Sequence, residues 1–330
     1  MRAWRVHRLG DPAEVLQLDE VDPPGPGPGQ VRVAVHAVGL NFPDLLMIAG
    51  RYQERPPLPF TPGLEVAGVV TACGEGARHV PGDRVMGAPV LPAGGLADEA
   101  VLPDDGCYEW PAGLPAADAA GLFITYQTAY VGLHRRAALR AGEVLLVHAG
   151  ASGVGSAAIQ LGKAAGATVI TTSGGPVKTA ACRDLGADVA LDHTTDDWVA
   201  AVKQATGGRG ADVIWDPVGG DVFDASRKCI AFEGRLVVVG FAGGRIPEVP
   251  ASHVLVKNYS VVGLHWGSYR RFEPSLIAEA HAELLRLHAA GVVRPLIDRE
   301  LPLEQAVEAL HLLATRQVAG KVILRPRPGP

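Results

Sequence analysis

Cysteine is scarce, four in 330 residues, at positions 73, 107, 182 and 229. No two lie near each other and no Cys-x-x-Cys occurs. That argues against a zinc ribbon and against a disulfide framework. Read alone, the four are small buried hydrophobes. An excess of charge of one sign is also missing: Lys plus Arg number 30 and Asp plus Glu 35, a net charge of −5. A general nucleic-acid binder would show a basic footprint. No apolar run approaches the roughly 18 residues of a membrane span. Residues 1–10 carry charges and no apolar core, so no signal peptide is visible. These absences predict a cytoplasmic protein with neither a nucleic-acid nor a membrane partner.

What is present reads as ordinary globular chain, 48% apolar and 20% charged. At roughly 150 residues per domain the length suggests two domains. Glycine is high, 41 of 330 residues. With no short repeat to absorb them, the glycines serve turns and close backbone approaches.

The first 120 residues read as β-rich. Residues 31–38 carry Val at alternating positions, as a strand requires, and residues 64–72 form a second such run. Proline and glycine clusters at 23–28 and 56–62 mark loops. Residues 81–85 look like a turn feeding another strand.

From Glu143 the chain alternates short apolar runs with helical patterns. Strands are predicted at 144–148, 168–172, 189–191, 213–215, 236–239 and 260–264. Helices are predicted at 153–165, 177–185, 198–206 and 223–230. Six strands with crossover helices make a doubly wound parallel sheet of the dinucleotide-binding kind. Residues 272–330 hold two helical stretches, 274–289 and 303–315, then a strand at 321–324. That is too little for a domain, so it is expected to complete the first one. The expected division is 1–120 with 272–330, and 121–271.

After the strand at 144–148 comes Gly150-Ala151-Ser152-Gly153-Val154-Gly155, then an Ala-rich helix. The spacing is G-x-x-G-x-G. Small residues let the backbone approach a pyrophosphate, and the helix N-terminus offers free N–H groups. This predicts cofactor binding at Gly150, Ser152, Gly153, Val154 and Gly155; the plainer reading is a tight structural turn. The next strand ends Thr171-Thr172-Ser173-Gly174-Gly175. No carboxylate stands there to bind ribose hydroxyls or repel a 2′-phosphate. Lys178 follows within a helical turn. Ser173 and Lys178 therefore favour NADPH over NADH.

Further short motifs follow in order: Gly39-Leu40-Asn41-Phe42-Pro43-Asp44, Gly50-Arg51-Tyr52, Pro62-Gly63-Leu64-Glu65-Val66-Ala67-Gly68, Asp216-Pro217-Val218-Gly219-Gly220, Val239-Gly240-Phe241 and Gly320-Lys321-Val322. Together with the glycine turn they resemble the medium-chain dehydrogenase/reductase superfamily, in its zinc-free quinone oxidoreductase branch. The resemblance covers nearly the whole chain. It implies an α/β protein with a GroES-like β-rich catalytic domain beside a Rossmann domain, assembled as a homodimer or homotetramer. Zinc relatives have a Cys where Asn41 stands and a His where Leu64 stands, and the stretch 85–103 lacks their four-cysteine lobe. No zinc is expected.

The resemblance also implies roles. Asn41, Tyr52 and Thr125 would be the catalytic groups: Asn41 and Thr125 toward the nicotinamide, Tyr52 binding or protonating substrate. Val218, Phe241 and Ala242 would line the nicotinamide ribose and ring. Arg316 and Lys321 would lie at the cofactor, and His193 beside the adenosine. Glu65 would anchor loops. Trp266 would wall the substrate pocket. Plainer readings stand beside these: Asn41 satisfying loop backbone, Tyr52 as packing, Thr125 as a cap, Trp266 as core. The implied activity is NADPH-dependent hydride transfer to a quinone or an α,β-unsaturated carbonyl. An enoyl-thioester reductase, with Arg51, Arg55, Arg270 and Arg271 toward coenzyme A phosphates, is the alternative. A non-catalytic nucleotide-binding protein is the third.

Overall fold

A computed structural model describes residues 1–327. The chain divides into two compact units, Thr125–Arg294 and the remainder on either side of it.

The first unit opens with β1 (Arg2–Val6), α1 (Pro12–Val15), β2 (Leu16–Glu20), β3 (Gln30–Gly39), α2 (Phe42–Ile48), β4 (Val66–Cys73), β5 (Arg84–Gly87), β6 (Glu99–Pro103) and β7 (Cys107–Glu109). It ends inside α3 (Ala116–Tyr130). The second unit continues with β8 (Val144–Val147), α4 (Gly153–Ala164), β9 (Thr168–Ser173), α5 (Pro176–Asp184), β10 (Val189–Asp192), α6 (Trp198–Ala205), β11 (Ala211–Asp216), α7 (Gly220–Ser226), β12 (Ile230–Val238), α8 (Ala251–Lys257), β13 (Ser260–Gly263), α9 (Trp266–Phe272) and α10 (Pro274–Ala289). The chain then returns to the first unit with β14 (Ile297–Pro302), α11 (Ala306–Ala314) and β15 (Lys321–Arg325).

In the first unit β3 is the organising strand. Its alternate residues Val31, Val33 and Val35 are buried in the core, as the sequence period requires. Antiparallel β4, β6 and β15 all pair with it. The sheet runs β14-β15-β3-β4-β5-β7. β15 thus brings Lys321 to the strand that ends at Gly39, just before Asn41.

In the second unit all six strands run parallel in the order β10-β9-β8-β11-β12-β13. β8 is buried at every position, as a central strand covered on both faces must be. The order reverses between β8 and β11. In such sheets ligands bind beyond the carboxyl ends of the strands at that point.

Three expectations are corrected. The helix expected at 223–230 is α7, which stops at Ser226; Cys229 turns back onto Ser226 O, and Ile230 already pairs with Ala211. Leu64 and Glu65 precede β4, whose pairing with β3 begins at Val66 opposite Val38. The boundaries expected at 120/121 and 271/272 fall after Ile124 and Arg294. Arg294 holds α10 to the second unit: its N–H donates to Gln160 Oε1 at 2.7 Å, and its carbonyl accepts from Gln160 Nε2 at 3.0 Å and Tyr126 OH at 2.6 Å.

Candidate functional site

In the second unit the chain leaves β8 at His148, turns through Ala149–Ser152 and enters α4. Ser152 is the N-cap and its Oγ accepts from Gly155 N at 3.1 Å. The first-turn N–H groups of Gly153 and Val154 have no intrahelical acceptor and carry the positive end of the helix dipole. A Cβ on Gly155 would lie 2.1 Å from Ala149 O, and one on Gly150 would lie 2.0 Å from Thr171 Oγ1. Only glycine lets the loop close this tightly. The donors fit a pyrophosphate.

The floor of this loop was not legible in the sequence. His148 is buried between Thr172 Oγ1 and Ser226 Oγ, each 2.8 Å from a ring nitrogen. Ser226 gives its one proton to Val222 O at 2.7 Å, so it accepts from His148 Nε2. Nδ1 then accepts from Thr172, whose carbonyl holds Gly150 N. Burial, with the nearby His193 adding to it, pushes the imidazole pKa down to about 3. His148 is a fixed, neutral tie beneath the glycine turn.

Ser173 is buried at the end of β9, and Lys178 is half-buried near the start of α5. His193 closes on the same turn: its N–H donates to Ser173 O at 3.0 Å, and a Cβ on Gly174 would lie 3.2 Å from its Nε2. Asp192 fixes this turn too. Its Oδ1 accepts from Gly175 N at 3.0 Å and from Thr194 Oγ1 at 2.7 Å. The Gly175 bond, first among its contacts, holds that carboxyl below its ordinary range.

At the ends of β11 and β12 the structure gathers Val218, Phe241 and Ala242. Asp216 Oδ1 accepts from Val218 N at 2.8 Å and Gly219 N at 2.9 Å. Ala242 N donates to Pro217 O at 3.0 Å, and Gly243 N to Val218 O at 2.8 Å. Thr125 is buried in α3, and Trp266 is buried where α9 begins.

The first unit brings together Asn41, Glu65 and Lys321, at 7%, 0% and 3% exposure. Asn41 Nδ2 donates to Gly39 O at 3.0 Å and Glu65 Oε2 at 2.9 Å. Lys321 Nζ donates to Leu40 O, Asn41 Oδ1 and Glu65 Oε2, each at 2.8 Å. Glu65 Oε1 accepts from Ile124 N at 2.7 Å. Glu65 is thus the loop anchor that the sequence suggested. Lys321, expected among the cofactor groups, is buried beside Asn41 and Glu65. An ammonium has three donors, and all three are spent inside this unit.

Asp44 was overlooked. Its Oδ2 accepts from Asn41 N at 2.8 Å, the reach-back half of a capping box, and its Oδ1 from Gly63 N at 3.0 Å. The signal was the Asn-x-x-Asp spacing before a helix. Burial pushes its carboxyl up to about 6. Tyr52 is half-buried against the core, and burial, then Glu54 and Asp44, pushes its phenol up to about 12. Arg316 is exposed after α11 in a left-handed conformation, φ 57°.

Asn41 Oδ1, the atom of that side chain able to ligate a cation, already accepts from the Lys321 ammonium, Leu64 offers an alkyl group, and among the described residues no group of three or more His, Cys, Asp or Glu is arranged to hold a metal ion.

Two family models match the chain: an alcohol dehydrogenase GroES-like domain over residues 27–128, and a zinc-binding dehydrogenase model over residues 153–282. A quinone oxidoreductase-like protein 2 homolog from Nematostella vectensis is 40% identical over 99% of this chain and 89% of its own. The chain belongs to the quinone oxidoreductase branch of the medium-chain dehydrogenase/reductase superfamily. Among solved structures of this superfamily, the Escherichia coli quinone oxidoreductase complexed with NADPH superposes with TM-score 0.93 at 31% identity, covering 99% of this chain and 100% of that one. The CurK enoyl reductase superposes with TM-score 0.87 at 26% identity, over 98% of both chains. The GroES-like unit and the six-stranded Rossmann unit expected from the resemblance are both present, and the chain is an oxidoreductase.

Proposed function

We propose that this oxidoreductase uses NADPH to reduce a quinone or an α,β-unsaturated carbonyl without a metal. The observation that carries the cofactor half is the turn after β9. It offers serine, glycine and a following lysine, and the Asp192 carboxylate beside it turns Oδ1 to the backbone N–H groups of Gly175 and Thr194. Gly153 and Val154 N–H take the pyrophosphate. Lys178 takes the 2′-phosphate, with Ser173 and His193 shaping the turn. Val218, Phe241 and Ala242 flank the nicotinamide end, with Thr125 toward the ring. Arg316 is the remaining cofactor residue of this reading. Bound NADPH supplies the hydride.

With no metal to polarise a carbonyl, the acceptor must itself delocalise negative charge onto oxygen, as quinones and enones do. Tyr52, whose phenol stays protonated at neutral pH, donates to the developing oxyanion. Asn41 holds the loop before α2.

The test is NADPH oxidation with a naphthoquinone, a 2-enone and crotonyl-CoA in parallel, with NADH as control. Turnover with the quinone or enone supports the reading. Turnover with crotonyl-CoA alone replaces it with an enoyl-thioester reductase, the reading that the CurK likeness and the exposed Arg270 and Arg271 favour. Lys178→Ala is expected to raise the NADPH KM about tenfold, with the NADH KM unchanged. An unaltered NADPH KM removes Lys178 from the site.

No helix among the described residues is long and apolar enough to cross a membrane. The setting we propose is cytoplasmic. The assembly we propose is a homodimer through the outer edge of β13.

A further inference from the structure

Both partners of the buried Lys321–Glu65 pair lie outside the roles given above to cofactor and acceptor, and burying two charges is costly. Their joint contact is the Asn41 carboxamide. A carboxamide has two ends of nearly equal shape and opposite hydrogen-bonding sense. An ammonium has no lone pair, so only the oxygen faces Lys321. A carboxylate has no proton, so only the NH₂ faces Glu65. The flipped state would set NH₂ against NH₃⁺ and oxygen against carboxylate, two repulsions in place of contacts at 2.8 and 2.9 Å.

We propose that Lys321 is a positioning residue: with Glu65 it locks Asn41 in one flip state, so that Asn41 presents an acceptor and never a donor. Both amide protons are consumed by Gly39 O and Glu65, and one lone pair of Oδ1 by Lys321. The second lone pair faces the Asp44 N–H across the capping box at the start of α2; that N–H bonds the Asn41 carbonyl at 3.0 Å, which leaves the lone pair open to a further donor. It takes a hydrogen bond from an N–H or O–H of whatever binds beside it, such as a carboxamide or a hydroquinone hydroxyl. Asn41 then has no proton to offer an oxyanion. The functional part of this inference rests on the reductase reading; the locked carboxamide does not.

The chain has only two asparagines, Asn41 and Asn258, the first buried and the second exposed. Labelling with ¹⁵N-asparagine therefore gives two carboxamide NH₂ pairs, one on each side of solvent protection. In the native protein the Asn41 pair is expected as one set of signals, exchanging slowly with water. In Lys321→Met its protection falls about tenfold or a second set appears. Lys321→Met leaves Glu65 buried without its cation and loses thermal stability. Lys321→Met/Glu65→Gln neutralises the cluster and recovers stability. Ile124 N holds the glutamine oxygen, so its NH₂ faces Asn41 and draws the carboxamide oxygen, against the pull of Gly39 O on the Asn41 NH₂, and no single flip state is locked. Both variants are expected to lose about tenfold in kcat with naphthoquinone, with NADPH Kd within about twofold of native.

Unchanged Asn41 signals in both variants overturn the proposal. So does recovery of kcat with stability in the double variant, which would make Lys321 merely structural. So does a tenfold weaker NADPH Kd at unchanged kcat, which would return Lys321 to the cofactor. A native protein that binds NADPH and reduces no acceptor sinks the reductase reading, and the labelled carboxamide still decides whether Asn41 is locked.

Discussion

At the scale of single residues, burial decides what a polar side chain does. Lys178 and Lys321 are the same residue type near similar small neighbours in sequence. One sits at a half-buried helix start, the other spends every donor inside a core. Asp44 is the sharper case. Its two N–H bonds favour the carboxylate, but desolvation outweighs them and raises its pKa from 3.8 to about 6. The folded state therefore binds this proton more tightly than the unfolded chain. Its stabilising contribution is complete below about pH 4 and is lost as pH rises through about 6, a change of about 3 kcal/mol. Carboxylates held low elsewhere, such as Asp98 and Glu143, act in the opposite sense. The measurement is therefore a difference. Relative to wild type, Asp44→Asn is expected to gain about 3 kcal/mol of unfolding free energy between pH 4 and 7, on top of a constant loss from one missing acceptor. A parallel pair of stability curves would show that Asp44 does not titrate there.

At the scale of elements, the unit that matters is strand, turn and helix. β8, the Ala149–Ser152 turn and α4 follow each other without a break, and the chemistry of the turn is fixed by residues within a few positions. That is why the sequence placed α4 to within one residue of its observed end. Its fragility is equally local. Gly155→Ala would put a methyl 2.1 Å from a backbone carbonyl. Backbone cannot rotate away as a side chain can, so the first turn of α4 must shift. The expected outcome is at least tenfold weaker NADPH binding, read by titration of nicotinamide fluorescence, with the fold retained by circular dichroism. Undiminished affinity would mean that α4's first turn does not carry the pyrophosphate. The helix expected at 223–230 shows the opposite case. Phe223 and Ala225 of α7 and Cys229 and Ile230 beyond it are apolar with polar residues between them, and period alone does not separate a short helix from a buried strand. The break at Ser226 is set by its bonds to Val222 and His148, a residue about 80 positions earlier.

At the scale of the whole molecule, β13 and β10 are the two edges of the six-stranded sheet, and the β13 edge is the one flanked by exposed apolar side chains. β13 pairs only with β12 among the described residues. Beside it α8 exposes Leu255 and Val256, at 76% and 78%, and the start of β12 exposes Phe232 at 71%. The bond from Glu233 N to Asn258 O draws these two segments together. An exposed strand edge flanked by apolar side chains invites pairing, and a second copy supplies an identical edge. Leu255→Glu/Val256→Glu is expected to convert a dimer to a monomer in light scattering, without unfolding either unit. A double variant that still scatters as a dimer would place the interface elsewhere.

The sequence by itself determined the local units. These include the six-strand β-α series, the glycine turn with its free helix donors, and the absence of a carboxylate directly after β9. Each depends on residues a few positions apart, where period, capping and turn chemistry act directly. Only the tertiary structure decided the rest. It brought Lys321 to Asn41 and Glu65 across about 280 residues, made Asp44 a buried acid, hid His148 beneath the cofactor turn, and gave α10 to the second unit through Gln160 and Arg294. Those outcomes depend on which groups are buried together. Burial is a property of the packed chain, and no local pattern carries it.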